Sequence, residues 1–296
     1  MQLVSTTAGI VLHVLRQCCH EVQQNGPWHW QCSMRTGRAL SIEASLGDGF
    51  LHLSCRAERI APQTHALEQA LRANRTLRGG VKLALGSSDR DLHMRADLPV
   101  VDEKRLRNTF ERAVIGFQCE ANALGEHNAP PEGGACSSGE TSPDGLKELL
   151  SEASWPYTQR AANDFSAELE AESARPACLR MNERDLEANV ELFRSRTPTN
   201  AVRRALATFL LSASGALCLV RAYSQPAEGE ELYGLQVSLA KAPAPEEVQD
   251  ALAALSIAYR MCAREANVLL TDAAAQCYIA ARRFSTANQQ PGNEEE

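Results

Sequence analysis

The chain has 296 residues, 44% of them apolar, and carries 30 basic against 37 acidic side chains for a net charge of −7. That length makes one large domain or two ordinary ones, and so much apolar material excludes wholesale disorder. The basic residues are 4 Lys and 26 Arg, scattered without a stripe, and aromatics amount to 5%, which excludes gripping phosphate backbones or stacking bases as the main task.

In chain order, Ile10, Val11, Val14, Leu15, Cys18 and Val22 recur at three- and four-residue spacing and predict an amphipathic helix ending at Asn25-Gly26. Three short strands follow: Trp28 to Met34, Leu40 to Ala44 and Phe50 to Cys55, with turns at Gly37 and Gly47-Asp48-Gly49. A helix from about Pro62 shows Leu67, Ala70 and Leu71 on one face. After Gly79-Gly80, the alternation of Val81, Leu83, Leu85 and then Leu92, Met94, Ala96, Leu98 predicts a hairpin. Asp102 is placed to cap a last helix carrying Leu106, Phe110, Val114 and Phe117.

From Gly125 to Gly145 no large apolar side chain is present to offset the entropy of ordering the backbone. This reads as a flexible linker. Beyond it a helix over Leu146 to Glu152 is expected, then strands at Trp155 to Arg160, Asp164 to Glu172 and Cys178 to Arg184. The run Leu186 to Phe193 leaves helix and strand open. Val202 to Leu211 is helical, and Ala216 to Tyr223 with Tyr233 to Ala240 form a hairpin around a loop at Ser224 to Glu231. Pro245 opens the final helix, with Glu246 and Glu247 in its first turn where the helix dipole favours them.

The two flanking segments look alike. Trp28-His29-Trp30 has a counterpart in Trp155-Pro156-Tyr157, Gly80 in Gly215, and Glu120-Ala121-Asn122-Ala123-Leu124 in Glu265-Ala266-Asn267-Val268-Leu269. The offset grows along the chain, as loop insertions into a repeated unit would make it. The expected fold is therefore α+β: two tandem α-β-β-β-α-β-β-α units, each a twisted, mainly antiparallel sheet with helices packed on it. The boundaries read as copy 1 over 1–125, linker over 126–145, copy 2 over 146–285 and a disordered acidic tail over 286–296.

The stretch from Ala73-Asn74 through Leu92-His93-Met94-Arg95-Ala96-Asp97-Leu98-Pro99-Val100 and Asp102-Glu103, with the Trp28 strands and the helix from Leu106, resembles the type III secretion chaperone-like superfamily, which includes Tir-chaperone and YbjN-like domains. The resemblance spans roughly residues 8–124 and 146–282 and is one of pattern. In the second copy Ser238-Leu239-Ala240-Lys241-Ala242-Pro243 departs from it. It implies a non-enzymatic protein-binding module that holds an extended segment of a client polypeptide, by strand addition at a sheet edge with pockets for alternate side chains. It also suggests that the two copies pack as an internal pseudo-dimer.

No apolar run reaches the length of a membrane helix, and the N-terminus lacks the charged start of a secretory signal, so no membrane partner is expected. Ten cysteines without a CxxC fit a reduced, cytoplasmic protein, with Cys32, Cys55, Cys218 and Cys262 as small hydrophobes. All seven histidines, His13, His20, His29, His52, His65, His93 and His127, fall in the first copy or the linker. That asymmetry raises the alternative of a metal-dependent or small-molecule-binding enzyme.

Local spacing does not support the alternative. Cys18, Cys19, His20 and Glu21 fan around a helix axis, and His52 and Cys55 would face opposite sides of a strand. Asp97, Asp102 and Glu103 could imitate a catalytic acidic pair but read better as a hairpin end and a helix cap. No GxSxG, GxGxxG or Walker pattern occurs. Trp28, Trp30, Trp155 and Tyr157 read as core anchors, and Arg203-Arg204 and Arg282-Arg283 as solvated helix faces. The sequence thus nominates no catalytic, cofactor or metal residue and leaves the partner-binding residues undetermined.

Overall fold

A computed structural model of the chain describes residues 2–36, 38–59, 63–86, 91–125, 143–161, 164–169, 175–181, 185–196, 198–240 and 242–287. The segment read as linker lies outside these up to residue 142, and the segment read as tail lies outside from residue 288. The first half comprises α1 (Gln2–Cys18), β1 (Glu21–Gly26), β2 (His29–Thr36), β3 (Arg38–Gly47), β4 (Phe50–Arg59), α2 (Thr64–Ala73), β5 (Lys82–Leu85), β6 (Asp91–Pro99) and α3 (Glu103–Gly125). The second comprises α4 (Pro143–Glu152), β7 (Tyr157–Ala161), β8 (Asp164–Ala167), β9 (Ala177–Met181), β10 (Asp185–Ser195), α5 (Asn200–Ala216), β11 (Arg221–Ala227), β12 (Glu230–Ala240), α6 (Pro245–Val268) and α7 (Asp272–Ala287).

The fold is α+β, in two similar halves. Each half builds a six-stranded antiparallel sheet. The orders are β1-β2-β3-β4-β6-β5 and β7-β8-β9-β10-β12-β11, the same path drawn twice. In both, the helix after the fourth strand carries the chain past the edge, and the last strand returns between the fourth and fifth.

Each unit has one strand more than the expected α-β-β-β-α-β-β-α. In the first, Cys19 still donates its amide to the Leu15 carbonyl at 2.8 Å, but His20 donates to Ser33 across the sheet at 2.9 Å. The helix therefore stops at Cys18, and Val22 lies on β1 paired with Cys32. The helical spacing of Val22 was coincidental. In the second, Leu186, Ala188, Val190 and Leu192 are buried on alternate positions, which settles 185–195 as a long strand pairing with both β9 and β12. The β11–β12 loop is also tighter than expected. The pairing reaches Ala227 opposite Glu230, and Glu228 and Gly229, at φ of 51° and 82°, make a two-residue turn suited to the strand twist.

The repeat is real in topology, but two of the sequence matches are out of register. Tyr157 opens β7, the counterpart of β1, whereas its match Trp30 lies within β2. Gly80, at φ 74°, stands where the second half has Leu219, at φ 61°; each comes two residues before the fifth strand of its sheet. Gly215 belongs instead to the end of α5.

In the first half Leu51, Leu53, Cys55, Leu92, Met94, Ala96 and Leu98 point to one sheet face, under α3, and α1 packs against α3 and β1. Leu106, Phe110, Val114 and Phe117 close this core from α3, as the spacing predicts, and Asp102 accepts a hydrogen bond from the Arg105 amide at 2.8 Å to cap it. In the second half α6 covers β10 and β12 in the same way. Glu247 there accepts from the Ala244 amide at 2.7 Å. The tryptophans Trp30 and Trp155 are buried, and the Trp155 indole donates to the Glu168 carbonyl at 2.6 Å.

The halves meet through their second helices and fifth strands. α2 packs on α5, α5 lies against β5, and α2 lies against β11. This leaves β5 buried throughout and β11 buried along its first four residues. The other edges, β1 and β7, are largely exposed. Among the described residues no helix is long and apolar enough to cross a membrane.

Candidate functional site at the junction of the halves

Strand alternation decides which side chains reach the junction. With the apolar residues of β4 and β6 committed to the core, His52, Ser54, His93, Arg95 and Asp97 share the opposite face. His52 lies directly across from Asp97, and Arg95 directly across from Lys82. The α5–β11 connection of the second half, Leu217 to Val220, approaches this face.

Lys82 is the centre of the arrangement. Its side chain is 2% exposed, and its ammonium donates to Asp97 Oδ2 at 2.6 Å, to the Leu217 carbonyl and to the Val220 carbonyl at 3.4 Å. The other carboxylate oxygen, Asp97 Oδ1, lies 2.7 Å from His52 Nδ1. A buried ion costs several kcal/mol unless paired and hydrogen-bonded, and here each charge is answered. Burial alone would raise the Asp97 pKa, but the hydrogen bond from His52 and the charge and hydrogen bond of Lys82 outweigh it. The carboxyl is held well below the usual range. Burial lowers the Lys82 pKa, and Asp97 opposes that.

The second half repeats the device with different residues. Arg221, the counterpart of Lys82, donates from one guanidinium nitrogen to the Val81 carbonyl of the first half and from another to Ser238, each at 2.9 Å. Thus each half sends a buried cation from its fifth strand to a main-chain oxygen of the other. Asn74 and Ser214 are a second such pair. Asn74 Oδ1 accepts from the Leu83 amide at 2.6 Å, and Ser214 Oγ accepts from the Ala222 amide at 2.8 Å. Asn74 also donates to the Leu83 and Ala222 carbonyls, joining both edge strands. Further out, Arg75 pairs with Glu187 at 2.9 Å while its guanidinium lies 5.2 Å from the Tyr223 ring centroid. Arg72 pairs with Glu231, Arg203 with Glu68, and Arg112 with Asp185.

Cys218 joins the Lys82 cluster from the second half. One ligand-capable atom each of His52, Asp97 and Cys218 lie within 4.8 Å of one another. Burial and then the neighbouring Asp97 carboxylate push the Cys218 thiol up, against the opposing charge of Lys82. His52 and Cys55 do face opposite sides of β4, as the sequence indicates, but that leaves His52 free to meet a cysteine from the other half. No local spacing could reveal this meeting. For Lys82 the only sequence signal is a lone charge within the apolar run Lys82-Leu83-Ala84-Leu85.

The acidic residues weighed together in the sequence are separate. Asp97 is in the cluster, Asp102 caps α3, and Glu103 lies 3.2 Å from His13. Arg203 and Arg282 are engaged rather than merely solvated, with Glu68 and Ser212 respectively. Compared with known proteins, the chain matches no family model and no curated protein.

Proposed function

We propose that this is a non-enzymatic, cytoplasmic protein-binding module, similar in manner to type III secretion chaperones, that holds an extended segment of a client polypeptide. The observation that carries this reading is the asymmetry of the sheet edges. β5 and β11 are spent on the contact between halves, while among the described residues β1 and β7 each pair with one neighbour and are largely exposed. An edge strand with free main-chain groups is the template for strand addition. In this reading the halves form an internal pseudo-dimer that orients two such edges from one chain, and the polar residues of β1 and β7 discourage pairing between copies.

The test is selection of extended peptides on the full-length protein, followed by amide exchange with the selected peptide bound. Slowed exchange at 21–26 or 157–161 is expected. Peptides that bind without changing exchange at either strand would refute edge addition. The second reading, a metal-dependent or small-molecule-binding enzyme using the His-rich first copy, is favoured in its metal form by one observation, the His52–Asp97–Cys218 group, to which the second half contributes the cysteine.

A further inference from the structure

We propose that His52, Asp97 and Cys218 form a binding site for a zinc-class divalent cation that ties the two halves together. The site goes beyond the client-binding reading and does not depend on it.

The donor set is one imidazole nitrogen, one carboxylate oxygen and one thiolate. This is the mixed N, O and S chemistry that zinc accepts in tetrahedral sites. The three come from β4, from β6 and from the α5–β11 connection, so the ligands converge only when the halves are packed together. The group is partly buried, and the His52 side chain retains 24% exposure, so the group is not sealed from solvent. The His52 and Asp97 orientations are already set by their strand register.

Lys82 is the obvious objection, because an ammonium repels a cation. It occupies Asp97 Oδ2, however, and is also held by the Leu217 and Val220 carbonyls, leaving Oδ1 to face His52. Binding would release the Cys218 proton to solvent and replace the His52–Asp97 hydrogen bond. The thiolate and carboxylate would then balance the ion while Lys82 anchors the carboxylate from behind, as outer-shell partners commonly do.

Cobalt(II) titration of the full-length, untagged, fully reduced protein tests this. One equivalent per chain is expected, with a thiolate-to-cobalt charge-transfer band. Cys218→Ser should abolish the band, and His52→Gln should weaken binding by about tenfold or more, with folding of both checked by circular dichroism. An independent readout on the wild type is alkylation: zinc should protect Cys218 and leave exposed Cys277 reactive. A band that survives Cys218→Ser, or Cys218 alkylation unaffected by zinc, overturns the proposal.

Discussion

Asp97 shows how a single carboxylate holds the junction. It answers the buried Lys82 ammonium on one oxygen and His52 on the other. Removing one partner of such a pair leaves an uncompensated charge, a loss of about 3–5 kcal/mol. Because the folded state depresses the Asp97 pKa, its contribution is present above the pH at which the unfolded chain's carboxyl ionises, about 4, and is lost as pH falls through the folded value. Asp97→Asn is therefore expected to lower stability at pH 7 by that amount and to flatten the acid limb of the stability profile. Urea midpoints between pH 7 and 2 check this, since the loss begins near the unfolded value and runs on below it. Curves for variant and wild type that run parallel would show that Asp97 does not carry the dependence.

At the scale of elements, the seam between α5 and β5 is set by Gly215. A Cβ there would lie 3.3 Å from the Arg95 guanidinium and 3.4 Å from both the Ala84 side chain and the Leu85 carbonyl. Arg95 also donates to the Gly215 carbonyl at 2.6 Å, so it has little freedom to withdraw. Gly215→Val is expected to destabilise by about 1–3 kcal/mol through overpacking. Gly9→Ala, in α1 with nothing within 4 Å of the new methyl, is expected to be neutral or stabilising by under about 1 kcal/mol. Thermal denaturation of the two variants side by side measures the contrast.

The elements most legible in the sequence were those with a complete local signal. α2 emerged from Leu67, Ala70 and Leu71, the β5–β6 hairpin from strict alternation, and α3 from its period and its Asp102 cap. β1 was hidden because Val22 continues a helical spacing by chance while Glu21, Gln23 and Gln24 give no apolar alternation. α7 packs on α5, with Phe209 and Tyr278 edge to face at 6.4 Å, and its local signal is confined to Thr271-Asp272, a cap-type residue followed by an acid in the first turn. The candidate site was illegible for a different reason. His52, Asp97 and Cys218 are brought together by sheet register and by contact between halves, and neither leaves a trace in local spacing.

For the whole molecule, the duplication has a physical consequence. Two copies of one topology each contribute an edge strand, a helix and a buried cation to a shared polar junction, so each sheet buries one edge and presents the other. The inner edges β5 and β11 lie under α5 and α2, and Asn74 is hydrogen-bonded to both. Among the described residues the outer edges β1 and β7 have a strand partner on one side only. Apolar exposure is modest by comparison, with Ile257 and Met261 one turn apart on α6 and Ile115 on α3.

Amide hydrogen exchange on the full-length protein alone tests this arrangement most directly. Residues 82–85 and the first residues of 221–227 should exchange as slowly as the central strands β4 and β10, whereas 21–26 and 157–161 should exchange fast. Inner edges that exchange as quickly as β1 and β7 would contradict a junction built on β5 and β11.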